Sequence, residues 1–153
     1  MTGCILGIDP GLRGALAFYF PEAPDRVSCY DMPIAASEVD ASQVAERVQQ
    51  MVPDFAIIEI PGARTGQGAG PAIKFGAAYG CVRGVLGALG IRTILVAPHH
   101  WKKFFRLDSD KEKARAFAIR TFAKSASYFS RKQDHDRAEA ALIALFGAKN
   151  EGA

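Results

Sequence analysis

Asp9 closes the run Ile5-Leu6-Gly7-Ile8-Asp9, Glu59 closes Phe55-Ala56-Ile57-Ile58-Glu59, and a third acidic group comes late in the chain as Asp134-His135-Asp136-Arg137-Ala138-Glu139. A charge at the end of an apolar run has no structural use, because Asp and Glu are rarely buried unless something offsets them. A hard divalent cation would do so. Carboxylate oxygens are the ligands Mg²⁺ prefers, and a metal site assembled from two strand ends and a helix suits phosphodiester hydrolysis. Asp136 and Glu139 are three residues apart and share a helix face, so both can point at the strand ends that carry Asp9 and Glu59. Four carboxylates placed together repel one another and raise their pKa values, which favours a bound metal. The same spacing ahead of an apolar run also fits an N-terminal helix cap, a role that suits Asp134 more readily.

The cations that such chemistry needs are concentrated in one segment. Residues 1–98 hold seven Lys/Arg against nine Asp/Glu, residues 99–132 hold ten against three, and the remainder holds two against four. A local basic field draws in a polyanion over about one Debye length, roughly 8 Å at physiological salt. Alone, a charge-rich helix reads as a solvated face; beside a carboxylate cluster it reads as a holder of phosphodiester backbone. His99-His100 invite a metal reading, but adjacent side chains diverge and no carboxylate lies near them in sequence. Trp101 reads as a packing residue, with Lys102 and Lys103 projecting to solvent or phosphate.

Periodicity and punctuation predict the elements that position these residues. Cys4–Asp9, Ala15–Phe20 and Val27–Met32 read as three antiparallel strands. Val44, Val48, Met51 and Val52 form the stripe of a helix from about Ser42 to Met51, ended by Pro53-Asp54, and Phe55–Ile60 follows as a strand parallel to the first. Residues 61–70 form a Gly-rich loop with Arg64 and Gln67 as its polar features, and Pro71 suits the first turn of a helix. That helix carries Gly76, Gly80, Gly84 and Gly87, each costing about 1 kcal/mol against alanine, so a close neighbour is expected. The sheet is the first expectation for that neighbour and a second subunit the alternative. Thr93–Val96 reads as a short strand. Ser109 and Glu112 have capping-box spacing ahead of a helix carrying Ala114, Phe117, Ala118, Thr121 and Phe122. The last helix is expected to begin near Asp134–Asp136 and to end at Gly147.

A chain of 153 residues with 49% hydrophobic content suits a single domain over residues 1–150 with a core of its own. No apolar run approaches the roughly 20 residues needed to span a bilayer and no secretory leader is evident, so no membrane partner and a cytoplasmic location are expected. Cys4, Cys29 and Cys81 are odd in number and far apart, which fits reduced core cysteines better than disulfides or a zinc site.

Taken in order, several motifs resemble one family across nearly the whole chain. Gly7-Ile8-Asp9-Pro10-Gly11, the Ile57-Ile58-Glu59 strand end, Lys74-Phe75-Gly76-x-x-x-Gly80, Pro98-x-x-Trp101-Lys102-Lys103, Asp110-Lys111-Glu112 and Asp136-x-x-Glu139-Ala140 are similar to those of RuvC-like Holliday junction resolvases. Gly-Ile-Asp-x-Gly alone also opens sugar kinases and actin-like ATPases, but 153 residues leave no room for an ATPase's second lobe. The resemblance implies an α/β, RNase H-like fold with a five-stranded mixed sheet flanked by helices. It further implies a homodimer that cuts four-way and related branched DNA junctions with two Mg²⁺ or Mn²⁺ ions per site. The family's acidic ligands map onto Asp9, Glu59, Asp136 and Glu139. Lys111 falls beside the developing charge, and Arg64, Lys74, Lys102 and Lys103 fall where flanking backbone would run.

Two departures accompany the resemblance. The last acidic position is usually Asp, and the longer Glu139 could shift metal preference and leave His135 or Asp134 to enter the site. The cellular enzymes carry an aromatic wedge soon after the strand-end Glu, whereas Ile60-Pro61-Gly62-Ala63 follows here, as in the shorter loops of the phage and poxviral branches. A non-catalytic RNase H-like DNA-binding or scaffold protein is the alternative, and the intact acidic residues argue against it.

Overall fold

Buried apolar runs bounded by Gly and Pro turns become strands β1 (Ile5–Asp9), β2 (Ala15–Tyr19) and β3 (Val27–Asp31), an antiparallel meander. The computed structural model describes residues 3–62 and 68–151 of the chain. A small hairpin not anticipated from sequence, β4 (Ile34–Ala35) and β5 (Glu38–Val39), precedes helix α1 (Ala41–Met51). Asp40 caps α1 by accepting from the Gln43 N–H at 3.2 Å. The helix crosses to β6 (Phe55–Glu59), parallel to β1, and α2 (Ala69–Ala88) leads on to β7 (Thr93–Val96), parallel to β6. The resulting order, β3-β2-β1-β6-β7, is the five-stranded mixed sheet expected.

Side chains alternate across a sheet, so each strand serves two cores. Leu6, Ile8, Leu16, Phe18, Ala56 and Ile58 pack with Val44 and Val48 of α1 and Val82 and Leu86 of α2. Ile5, Ala15, Ala17, Phe55 and Ile57 face the other way, onto α3 (Pro98–Phe104), α4 (Lys111–Thr121) and α5 (His135–Asn150). Two 3₁₀ segments, Ala123–Phe129 and Lys132–Asp134, connect α4 to α5.

Helix α5 is buried on almost every side from Ala138 to Leu145 and lies directly on β1. A Cβ on Gly7 would run into the Ala140 carbonyl and Ala144, so glycine is what lets helix and strand meet. Leu142 and Ile143 are fully buried, each contributing about 1.5–3 kcal/mol. Their packing fixes where the first turn of α5 stands relative to the end of β1.

Four expectations are corrected. Gly147 does not end α5, which continues to Asn150; a Cβ there would come within 3.0 Å of Ile57 Cγ2, so this glycine serves close packing on β6. Asp110, not Ser109, caps α4, its carboxylate accepting from the Glu112 N–H at 2.9 Å. A carboxylate one residue nearer the helix is a strong acceptor for those amides and displaces the serine. The sheet is not the neighbour of the glycines on α2, because Ala78, Val82 and Leu86 take that side and, among the described residues, nothing lies within 4 Å of a Cβ built at Gly76, Gly80, Gly84 or Gly87. Residues Pro98–Phe104, assigned no element from sequence, form a short helix that drives Trp101 into the core.

Candidate active site

Parallel strands β1 and β6 pair Ile8 with Ile58, so the next residue of each, Asp9 and Glu59, emerges at the same end of the sheet. By alternation both belong to the face covered by α5. Helix α5 starts at that end. Its first turns bring Asp136 and Glu139 to Asp9, and carboxylate oxygens of these three residues lie within 4.8 Å of one another. Glu59 lines the same cleft, about 550 Å³, together with Arg13, Lys74, Phe75 and Lys111.

Glu59 stands outside the group of three, and its Oε2 accepts from the Trp101 indole N–H at 2.7 Å. Glu139 is only 3% exposed and its Oε1 takes the Lys111 ammonium at 2.5 Å. Asp9, 8% exposed, faces Asp136, and the two carboxylates crowd each other. A proton or a cation between them would relieve that repulsion.

Magnitudes decide what this cluster can hold. Two charges about 4.8 Å apart at an effective dielectric of about 20 repel by roughly 3–4 kcal/mol, so three such pairs approach about 10 kcal/mol. That rivals the whole stability of a typical domain, about 5–15 kcal/mol. The group therefore sheds charge. Burial first, then the charges of Glu139, Asp136 and Glu59, pushes the Asp9 carboxyl well above its ordinary range. Burial likewise raises Asp136 and Glu59, in the latter case against the lowering effect of the Trp101 hydrogen bond. For Lys111 burial works against the charge, yet Glu139, Asp9 and Asp136 outweigh it and its pKa rises. An oxygen-only donor set with excess negative charge fits a hard divalent cation such as Mg²⁺ or Mn²⁺.

The neighbouring acids divide by role. Asp134 is buried but turned away from the group of three, its carboxylate held by the Arg131 backbone N–H at 2.8 Å and guanidinium at 2.7 Å. Arg137 ties α5 to β3 through Asp31 at 2.8 and 3.0 Å. His135 Nδ1 lies 3.2 Å from Asp136 Oδ1, but it is misaligned for a hydrogen bond and has no partner.

Of the basic residues singled out from sequence, Lys74 and Lys111 line the acidic cleft. Lys102 and Lys103 line a separate groove with His99 and Arg106, and Lys102 Nζ sits 5.5 Å from the centre of the Trp101 ring. Arg64 lies outside the described residues. The exposed rings of His99 and His100 lie 4.3 Å apart, and neither belongs to the acidic group. Sequence reasoning missed Arg13, although it lies four residues after Asp9 in the same turn. It also missed the polar role of Trp101, for which the signal is general: a buried indole N–H must find an acceptor.

The sheet order, with an acid-lined cleft at the ends of β1 and β6, defines an RNase H-like fold. Solved Holliday junction resolvases have this architecture. Thermus thermophilus RuvC in complex with a Holliday junction substrate superposes with a TM-score of 0.66 at 17% identity, over 97% of this chain and 96% of that one. The fowlpox virus Holliday junction resolvase gives 0.58 at 15% identity, over 95% and 97% of the two chains. The yeast mitochondrial Holliday junction resolvase gives 0.55 at 13% identity, over 93% and 77%. No protein-family profile matches the sequence, and neither does any curated protein.

Proposed function

We propose that this protein is a divalent-metal-dependent endonuclease that resolves four-way (Holliday) and related branched DNA junctions by paired nicks, leaving 5′-phosphate and 3′-hydroxyl ends. The observation that carries the reading is the convergence of Asp9, Asp136 and Glu139 on one point, with Glu59 beside them, on the fold of Holliday junction resolvases. These four carboxylates would hold two ions, Mg²⁺ or Mn²⁺. Bound there, such ions supply Lewis-acid polarisation of the phosphate, an activated water and neutralisation of the departing 3′ oxygen.

The chain's own residues do the rest. Burial and acidic neighbours raise Asp9, and burial raises Asp136, so loading the site with a cation would displace protons held there. Lys111, which stays charged in its acidic surroundings, is freed from Glu139 to meet the non-bridging phosphate oxygens. Arg13 and Lys74 on the cleft wall hold the neighbouring phosphates, while Lys102 and Lys103 in their own groove carry the strand beyond it, a role proposed for Arg64 from the sequence alone. Resolution needs two opposed cuts, and a two-fold homodimer would supply both sites. The open glycine face of α2 suits that contact because it lets a partner helix approach closely.

The test is cleavage of four-way, flapped and linear DNA with Mg²⁺ and with chelator, by wild type and Asp9→Asn. Symmetric nicking of the four-way substrate is expected, lost with chelator and lost in the variant, whose junction binding persists. Cutting that survives both treatments would overturn the site assignment, and junction binding without cutting by wild type would leave a non-catalytic binding protein.

A further inference from the structure

Glu59 occupies the end of β6, where a flexible three-torsion side chain could swing between the cleft and solvent. One contact prevents it. Trp101 approaches from α3, reached through β7, which pairs with β6 in a register that sets Val96 against Glu59. Its ring is 0% exposed, so the core and not solvent fixes the direction in which the indole N–H points. That N–H meets Glu59 Oε2 at 2.7 Å. On the ring itself rests the Lys102 ammonium, 5.5 Å from its centre.

We propose that Trp101 is a positioning residue for Glu59: the indole occupies Oε2, leaves Oε1 as the oxygen presented to the cleft, and holds the carboxylate apart from Asp9, Asp136 and Glu139. This rests on the metal-dependent reading above. It makes Glu59 a one-oxygen ligand. A free carboxylate could turn both oxygens to the cleft, whereas a pinned one would offer an ion a single oxygen. The single-donor geometry suits the task, because an indole has one N–H and no acceptor and cannot offer an alternative bond. Outer-shell partners that fix a ligand's orientation typically change metal affinity 10–100-fold when removed. Trp101 is the sole tryptophan of the chain, so its emission reports on the Glu59 carboxylate directly.

The test uses the full chain and Mn²⁺ or Mg²⁺ alone, without DNA. Calorimetry should show Mn²⁺ binding weakened 10–100-fold in Trp101→Phe, which keeps an aromatic ring but removes the donor. Because the smaller ring can loosen the core, a second protein carries β-(3-benzothienyl)alanine at position 101, an isostere of tryptophan without the N–H; it should show the same loss with an unchanged melting temperature. Wild-type tryptophan emission should change saturably with Mg²⁺, and Glu59→Gln should abolish that change. Wild-type Mn²⁺ affinity in the isostere would overturn the positioning role and leave the metal site standing. Absence of Mn²⁺ binding by the wild type would overturn the metal-dependent reading and this inference with it.

Discussion

At the scale of single residues, the acidic cluster sets the electrostatic character of the molecule. Asp9 has a folded-state pKa well above its ordinary value of 3.8, chiefly through burial and then through its acidic neighbours. A raised carboxyl binds its proton more tightly folded than unfolded, so its stabilising contribution is complete below the unfolded pKa and disappears as pH rises through the folded one. Metal-free protein should therefore lose stability as pH climbs out of the acid range. Mg²⁺ should restore it increasingly, since the cation favours the charged form. Asp9→Asn removes the charge and keeps the shape: thermal melts in chelator near neutral pH should show it more stable than wild type by about 1–2 kcal/mol. Its melting temperature should no longer respond to Mg²⁺, and a variant less stable than wild type in chelator would mean that the cluster is not strained. For the late acids, Asp136→Asn and Glu139→Gln should each reduce junction cleavage by at least about two orders of magnitude, while Asp134→Asn should spare cleavage and lower the melting temperature. Removing the Asp134 charge breaks its pairing with Arg131, which is structural; the opposite ranking in a cleavage assay would shift the ligand register by two residues. Asp9 and Glu59 stood out from type and position, because a carboxylate at the end of an apolar run is anomalous in any fold. The spacing of Asp136 and Glu139 fitted a helix cap as well, and only the fold shows that α5 brings them to Asp9. The bond from Trp101 to Glu59 could not be read at all, since it spans 42 residues and depends on how β7 and α3 place one ring.

At the scale of elements, the strands were legible because burial on both faces leaves near-continuous apolar runs, and the ends of β1 and β6 fell within a residue of expectation. Helix ends were less legible because side chains compete for them. Ser109 and Asp110 both offer a cap oxygen, and the aspartate, one residue nearer the helix, takes the Glu112 N–H. Glycine was the least legible residue, since one letter stands for several situations. Gly7 admits the backbone of α5 and Gly147 makes room for the Ile57 side chain, whereas Gly76, Gly80 and Gly84 face open space among the described residues. The end of α1 shows a further situation, the missing glycine. Val52 sits there at φ 49°, 72% exposed, its N–H bonded to Val48 O. The left-handed conformation costs a residue with a side chain about 1–2 kcal/mol, and a β-branched one is poorly suited to it. Val52→Gly should therefore raise stability by about 1 kcal/mol in urea unfolding, with the slope unchanged. A loss of stability would show that the exposed isopropyl group covers something the helix end needs.

At the scale of the whole molecule, charge and symmetry separate binding from chemistry. The +7 segment over residues 99–132 supplies α3, α4 and the turns beyond them. Changing Lys102 and Lys103 together to alanine should weaken binding to every DNA alike and reduce the salt slope by about 0.9 for each phosphate that is no longer neutralised. An unchanged slope in filter binding would return both lysines to solvent. The glycine face of α2 tests the symmetry of the proposed reaction. Among the described residues no heavy atom lies within 4 Å of a Cβ built at Gly80, so a side chain there starts in open space. Glycine also costs a helix about 1 kcal/mol relative to a good helix former, so the isolated subunit should become slightly more stable. If two copies meet through that face, the leucine side chains hold their backbones apart. The variant should then scatter light as a monomer, retain its Mg²⁺-dependent melting shift, and nick four-way junctions on one strand at a time, leaving singly cut products that accumulate. Paired cuts by a variant that remains dimeric would place the interface elsewhere on the surface. A wild-type protein that is monomeric on DNA and cuts flaps and linear duplex equally well would replace the paired mechanism with single, structure-selective incision.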